Sequence, residues 1–304
     1  MMGAEFVALS LTPILIGICV AVACALPGNF LLLRGQALIG DAISHVVLPG
    51  IVVAFLLTGM VATGPMLLGA AGAALLAVVA IEVIRRLGRI EAGAAMGVVF
   101  TAMFAGGVLL LERSDTSNVH LDVEHALFGN LESLIWLDAT GWESLVDPVA
   151  LAGLPVELPR MALALVVVAL FLFLFWRPLA LSTFDEGFAR GLGLWTGPLG
   201  LALVVVSAIA AVAAFDAVGS IIVIAMFICP PAAARMMTNR LLHQVAWSAG
   251  FATLAAILGY VLAGYGPLWV GAAASVSAAG MIATVSGAIL AVCAVAGPHR
   301  TRGS

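Results

Sequence analysis

Few residues in this chain can do chemistry, and two of them stand four apart. The stretch Gly40-Asp-Ala-Ile-Ser-His-Val-Val-Leu-Pro-Gly50 sets Asp41 and His45 in an otherwise apolar run. On a helix, positions four apart share one face. The carboxylate and the imidazole therefore point the same way, with Ser44 beside them. Pro49 has no N–H, so the His45 carbonyl loses its helical donor. A carboxylate, an imidazole and a freed carbonyl at one level form a mixed O/N ligand set. Mn2+ and Fe2+ accept carboxylate with imidazole, and Zn2+ favours imidazole. Two side chains are too few to store an ion, but they suit a way-station, because a conduit must release what it binds.

Depth sharpens this reading. Arg34 marks the polar edge of the segment, and at ~1.5 Å per residue Asp41 lies about 10 Å inside it and His45 about 16 Å. Ionisable groups at such depth cost several kcal/mol unless they face a polar cavity or a partner. A structural Asp–His hydrogen bond and a proton relay are the other uses open to such a pair. An intramembrane enzyme is a distant third reading, since the metalloprotease and aspartyl-protease templates both fail: there is no HExxH and no second catalytic aspartate following a tyrosine.

The elements that position the pair follow from composition. Of 304 residues, 63% are hydrophobic and 9% charged, with mean hydropathy +1.21. Apolar runs of about 18 or more residues are membrane spans. They fall near 8–33, 42–62, 65–84, 93–111, 161–176, 196–214, 218–237, 246–263 and 268–296. The expectation is an all-α polytopic membrane protein with one transmembrane domain over residues 1–304. It has nine helices, or eight if the Pro230-Pro231 pair breaks 218–237 into a re-entrant segment. The first run follows Glu5 rather than a basic region, so it reads as a retained helix and not a leader, despite Ala-Val-Ala-Cys-Ala at 21–25.

Every basic residue is an arginine. A Walker A loop needs a lysine, so this chain cannot carry one, and any ATP-driven work falls to another subunit. Cys19, Cys24, Cys229 and Cys293 form no C-x-x-C pair and read as small buried hydrophobes. With nine spans, Arg34, Arg85, Arg86, Arg89, Arg177, Arg190, Arg235, Arg240, Arg300 and Arg302 fall on one side. That side is expected to be cytoplasmic, with the N-terminus outside and the C-terminus inside. The opposite side holds the acidic 112–159 loop, in which 128–137 (FGNLESLIWL) is expected as an amphipathic helix lying in the interface. Inside, the 182–194 segment carries Asp185, Glu186 and Arg190 in the order a short capped helix wants, with glycines to stop it.

Three stretches together resemble the zinc/manganese/iron ABC-transporter permease family of the ABC-3 type. Leu33-Arg-Gly-Gln-Ala-Leu-Ile-Gly-Asp-Ala-Ile-Ser-His-Val-Val-Leu-Pro-Gly50 is similar to its R-x-x-A-L-x-G-D-A-x-S-H-x-x-L-P-G signature. Phe215 to Arg235 resembles its Val-Gly and proline block. Phe184-Asp-Glu-Gly-Phe-Ala-Arg-Gly-Leu-Gly193 resembles its F-D-x-x-x-A-x-x-x-G coupling segment. The resemblance covers about residues 10 to 295. Asp216 and the doubled proline resemble the manganese/iron branch more than the zinc branch.

The resemblance implies an architecture like the vitamin B12-type (type II) importer permeases, placed in a bacterial cytoplasmic (inner) membrane. It implies a dimer of identical or paired chains with the pathway along its axis, driven by two cytoplasmic ATPase subunits. An extracytoplasmic binding protein would deliver the metal. Asp41 and His45 would line the pathway. Asp185, Glu186, Ala189, Arg190, Gly191 and Gly193 would form the contact with the ATPase. No permanently bound cofactor and no nucleic acid is expected; the divalent ion is cargo. The rival is an ion-coupled secondary transporter with Asp41 and His45 as proton relay. That class shows paired inverted repeats, and the chain has no second copy of GDAISHVVLPG.

The remaining polar and proline positions allow two readings each. Pro230 and Pro231 free the carbonyls of Met226 and Phe227, giving either a gate or a packed kink. Asp216 either receives metal or starts a helix in solvent. His120, Asp122, Glu124 and His125 either concentrate cations or belong to a solvated acidic loop that docks a partner. Met103, Met226 and Cys229 read as core filling.

Overall fold

The structure, a computed structural model, describes residues 5–59, 63–113, 131–269, 271 and 276–298. Among these, nine helices are long and apolar enough to cross a membrane. A π-helical turn at Val7–Leu11 leads into α1 (Thr12–Leu33). There follow α2 (Ile39–Thr58), α3 (Thr63–Gly88), α4 (Ala92–Arg113) and α5 (Glu157–Leu174). Two short helices, α6 (Trp176–Phe184) and α7 (Glu186–Gly191), precede α8 (Thr196–Met237), α9 (Leu241–Trp269) and α10 (Ala278–Ala296). Helix α1 sits at the centre, packed on α8, α9 and α5, while α2 packs on α3, α4 and α8.

Small residues set how closely these helices approach. A Cβ at Gly50 of α2 would lie 2.4 Å from the Gly69 carbonyl oxygen of α3, and one at Gly69 would lie 2.4 Å from the Gly50 oxygen. On the other side of α2, a Cβ at Gly107 of α4 would stand 2.7 Å from that of Pro49. In a bilayer such contacts replace the hydrophobic drive that water supplies elsewhere.

Helix α8 would measure about 63 Å at ~1.5 Å per residue, about twice the hydrocarbon thickness. It divides at Gly219, whose φ of 75° and ψ of 174° are the only non-helical dihedrals inside it. The eight-helix alternative, with 218–237 broken at Pro230-Pro231, is not found: the break falls at Gly219, at the junction of the apolar runs 196–214 and 218–237, and the helix runs on through both prolines. The reason is local. Pro231 removes the donor to the Phe227 oxygen, and that oxygen lies against α1, where a Cβ at Gly28 would meet it at 2.5 Å. Close packing covers the freed carbonyl, so the helix need not open. The Gly219 conformation is one that only glycine adopts readily. Gly219→Ala is expected to cost about 1–3 kcal/mol, read as a lower midpoint of thermal unfolding in detergent; an unchanged midpoint would contradict the assignment of the break.

Two other expectations are corrected. Residues 131–137 of the loop are not an interfacial helix. Leu131–Ser133 form one 3-10 turn, and Trp136 is buried, donating its indole N–H to the Ala150 carbonyl at 2.8 Å while its backbone N–H reaches the Ala8 carbonyl. The loop is therefore pinned to the start of the chain by a tryptophan that needs an acceptor. The last apolar run, expected from 268, is divided: Leu268 and Trp269 close α9, Gly271 takes a φ of 72°, and α10 opens at Ala278.

Candidate functional site

Asp41 sits in the first turn of α2 and His45 one turn on. Their facing atoms, Asp41 Oδ1 and His45 Nε2, stand 3.6 Å apart, with side-chain exposures of 35% and 41%. That distance exceeds a hydrogen bond. Ligand bonds of ~2.1 Å place two ligands of one ion about 3.0–3.4 Å apart, so a small closure of the pair would bracket a dication. The Ser44 hydroxyl turns back to donate to the Asp41 carbonyl at 2.6 Å, leaving its oxygen as an acceptor beside the pair. Among the described residues no group of three or more His, Cys, Asp and Glu forms a metal cage. The donor set is a pair, as a way-station requires.

Aromatic rings of α4 hold the imidazole. His45 stacks on Phe100 with centroids 5.3 Å apart and meets Phe104 edge-on at 5.7 Å. Phe100 also lines a cavity of about 390 Å3 inside the chain. The α2 residues facing that cavity are Ile39, Ala42, Ile43 and Val46. At 3.6 residues per turn these lie about 130° round the helix from Asp41 and His45. The pair thus sits off the cavity face, on a part-exposed face of α2, with His45 against α4.

The 182–194 segment folds as its charge order predicts. Asp185 caps α7, its Oδ1 accepting from the Phe188 N–H at 2.8 Å. Glu186 pairs with Arg190 at 2.5 Å and accepts from the Thr196 hydroxyl at 3.2 Å. Gly193, at a φ of 80°, ends the segment. Burial pushes the Glu186 carboxyl up; the hydrogen bond and charge of Arg190, the Thr196 hydroxyl and the charge of Arg85 outweigh this and hold it below its ordinary value.

Asp185, Glu186, Arg190, Gly191 and Gly193 all stand on the outside of the segment, the Arg190 and Glu186 side chains at 66% and 56% exposure. Ala189 is fully buried. Phe184, Phe188 and Leu192, at four-residue spacing, stand exposed with Trp195 beyond them, Phe188 at 56% and Trp195 at 81%. Sequence reasoning missed this stripe, although its i, i+4, i+8 spacing was visible, because apolar residues carry no contrast in so apolar a chain.

The other candidates are scattered. Pro49, Pro230 and Pro231 all lie within continuous helix. The backbone of Asp216 lies in α8, three residues before the break, and its side chain is outside the described residues. His120, Asp122, Glu124 and His125 are likewise outside them. Met226 is fully buried as core filling, and Met103 packs beside Val46, Ala77 and Val99.

Nine apolar helices among the described residues define a polytopic integral-membrane protein. The chain belongs to the ABC 3 transport family, whose model matches residues 8–138 and 153–296. It is 37% identical over 271 residues to the manganese transport system membrane protein MntD of Bacillus subtilis, covering 89% of this chain and 86% of that one. It is 37% identical over 217 residues to the zinc transport system membrane protein TroD of Treponema pallidum, covering 71% and 57%. Its fold matches PsaBC of Streptococcus pneumoniae in complex with Fab, with a TM-score of 0.70 at 25% identity, covering 96% and 92%. An inward-facing metal-chelate type ABC transporter shares the fold, with a TM-score of 0.68 at 17% identity. The chain is a membrane permease subunit of the ABC class.

Proposed function

We propose that this permease forms, with a second permease chain, the pathway of an ATP-driven importer of divalent transition-metal ions. Mn2+ or Fe2+ is the favoured cargo and Zn2+ the alternative. The observation that carries the reading is the Asp41–His45 pair, set 3.6 Å apart on a part-exposed face of α2. A facing protomer would enclose that face and complete a ligand shell that one chain leaves half built. The relatives named as manganese and zinc transport proteins support the cargo class. Separate ATPase subunits supply the energy, since the chain has no lysine for a Walker A loop. An extracytoplasmic binding protein delivers the ion, and the arginine-rich ends lie in the cytoplasm of a bacterial cell.

The test is Mn2+ uptake into proteoliposomes containing the permease, its ATPase and its binding protein. Uptake is expected to require ATP inside and to survive an ionophore that collapses the proton gradient. Uptake by the chain alone, or its loss with the proton gradient, would favour the secondary-transporter reading instead.

The exposed Phe184, Phe188, Leu192 and Trp195 form the knob that seats in the ATPase. Buried aromatic anchors dominate such interfaces, and truncating one costs about 2 kcal/mol or more. Phe188→Ala and Trp195→Ala are each expected to weaken ATPase retention by at least about tenfold in co-purification from detergent. Normal retention in both would place the docking surface elsewhere.

A further inference from the structure

We infer that Arg34 is a positioning residue, a tie that passes displacement of the α7 docking segment to the helix carrying Asp41 and His45. The inference rests on the ATP-driven reading and adds to it the path by which the drive reaches the site.

Arg34 reaches across 148 and 149 positions of sequence. Its Nη2 donates to the Ser182 hydroxyl at 2.8 Å, and its Nε donates to the Thr183 hydroxyl at 3.0 Å. Those acceptors lie in the last turn of α6, which closes at Phe184 just before Asp185, the cap of α7. Among the described residues, these are the hydrogen bonds that cross from the α1–α2 turn to the 182–196 segment. Gly200 leaves the room this requires, since a Cβ there would stand 3.1 Å from Arg34 Nη1.

The other end of the tie is rigid. Arg34 is the C-cap of α1, and the turn that follows is fully bonded. The Gly35 N–H reaches the Leu32 carbonyl and the Gln36 N–H reaches the Leu31 carbonyl, with Gly35 at a φ of 68°. This is the Schellman arrangement. The Ile39 N–H then bonds the Gln36 carbonyl, so α2 starts with no slack. Asp41 is two residues further on. A push on α7 that moves Ser182 and Thr183 therefore drags a guanidinium anchored at the end of α1, and the bonded turn from Gly35 to Ile39 hands that movement to the start of α2.

The surroundings suit a moving part. The cavity of about 390 Å3 is lined by Ile39, Ile43 and Val46 of α2, by Thr183, Glu186 and Thr196, and by Arg34 itself. With this space beside the guanidinium, the segment can shift without a close-packed wall resisting it. Burial pushes the Arg34 guanidinium down from its ordinary value, with the charge of Glu186 acting the other way. A desolvated cation is held by the hydrogen bonds it makes.

The experiment uses the same proteoliposomes, with Mn2+ as probe and the Mn2+ imported per ATP hydrolysed as readout. Arg34→Ala is expected to keep its ATPase and to go on hydrolysing ATP while Mn2+ per ATP falls about tenfold, within the usual range of coupling free energies. Ser182→Ala combined with Thr183→Val should reproduce the loss, because it removes the acceptors and leaves Arg34 in place. Arg34→Lys should recover part of it. An unchanged ratio in Arg34→Ala overturns the tie. So does normal coupling in the double variant, which would leave Arg34 a purely structural residue even if Arg34→Ala failed to assemble. Wild-type uptake without ATP would instead overturn the reading on which the tie rests.

Discussion

Asp41→Asn and His45→Ala are each expected to bring Mn2+ uptake down to the level of cells lacking the permease, with the complex still assembled. Asn keeps the size of Asp and removes only its charge. Two unit charges ~4 Å apart at an effective dielectric of about 20 interact by about 4 kcal/mol, and a dication doubles that. Inside a membrane this attraction offsets dehydration of the ion, so its loss slows passage by at least about a hundredfold. His45→Ala removes the nitrogen donor and leaves the carboxylate alone. The two side chains are 35% and 41% exposed, so Asp41→Asn leaves the core as it is and His45→Ala gives up only the ring contacts with Phe100 and Phe104. Growth rescue under manganese limitation and radiolabelled Mn2+ uptake both read the effect. Uptake near wild type in either variant, with the permease still at normal levels, would remove the pair from the pathway.

The reach of the sequence is uneven for a physical reason. Whatever depends on local spacing was readable: the shared face of Asp41 and His45, the Asp185 cap with its Glu186–Arg190 pair, and the nine apolar segments with their arginine flanks. Whatever depends on which helix lies beside which was not. Arg34 finds Ser182 and Thr183 across nearly half the chain, and no local pattern announces that contact. The prolines of α8 allowed either a gate or a packed kink, and only the contact with Gly28 shows how that turn stays closed, while the break falls at Gly219. Trp136 sits in a stretch with an amphipathic pattern, but its indole N–H found a buried acceptor at Ala150, and tertiary contact overrode the pattern.

Glycine is the sharpest case, because 33 of them look alike in the sequence and crossing geometry alone tells them apart. Gly50→Val is expected to abolish recovery of monodisperse permease, while Gly72→Ala, one turn from the same crossing on α3, leaves it folded. At Gly50 a Cβ meets the Gly69 carbonyl oxygen at 2.4 Å and the Ala73 Cβ at 2.7 Å. The closest obstacle is backbone, so no rotamer change relieves it and α2 must move away from α3. It cannot move freely toward α4, where Pro49 already lies against Gly107. Overpacking of this kind costs about 1–3 kcal/mol where side chains can yield, and more where they cannot. At Gly72 nothing lies within 4 Å of an added Cβ, and alanine there should gain up to about 1 kcal/mol of helix propensity. Size-exclusion profiles and thermal midpoints of the two purified variants separate the cases. If Gly50→Val elutes and melts like wild type, α2 and α3 do not cross where the structure puts them, and the frame that orients Asp41 and His45 would have to be redrawn.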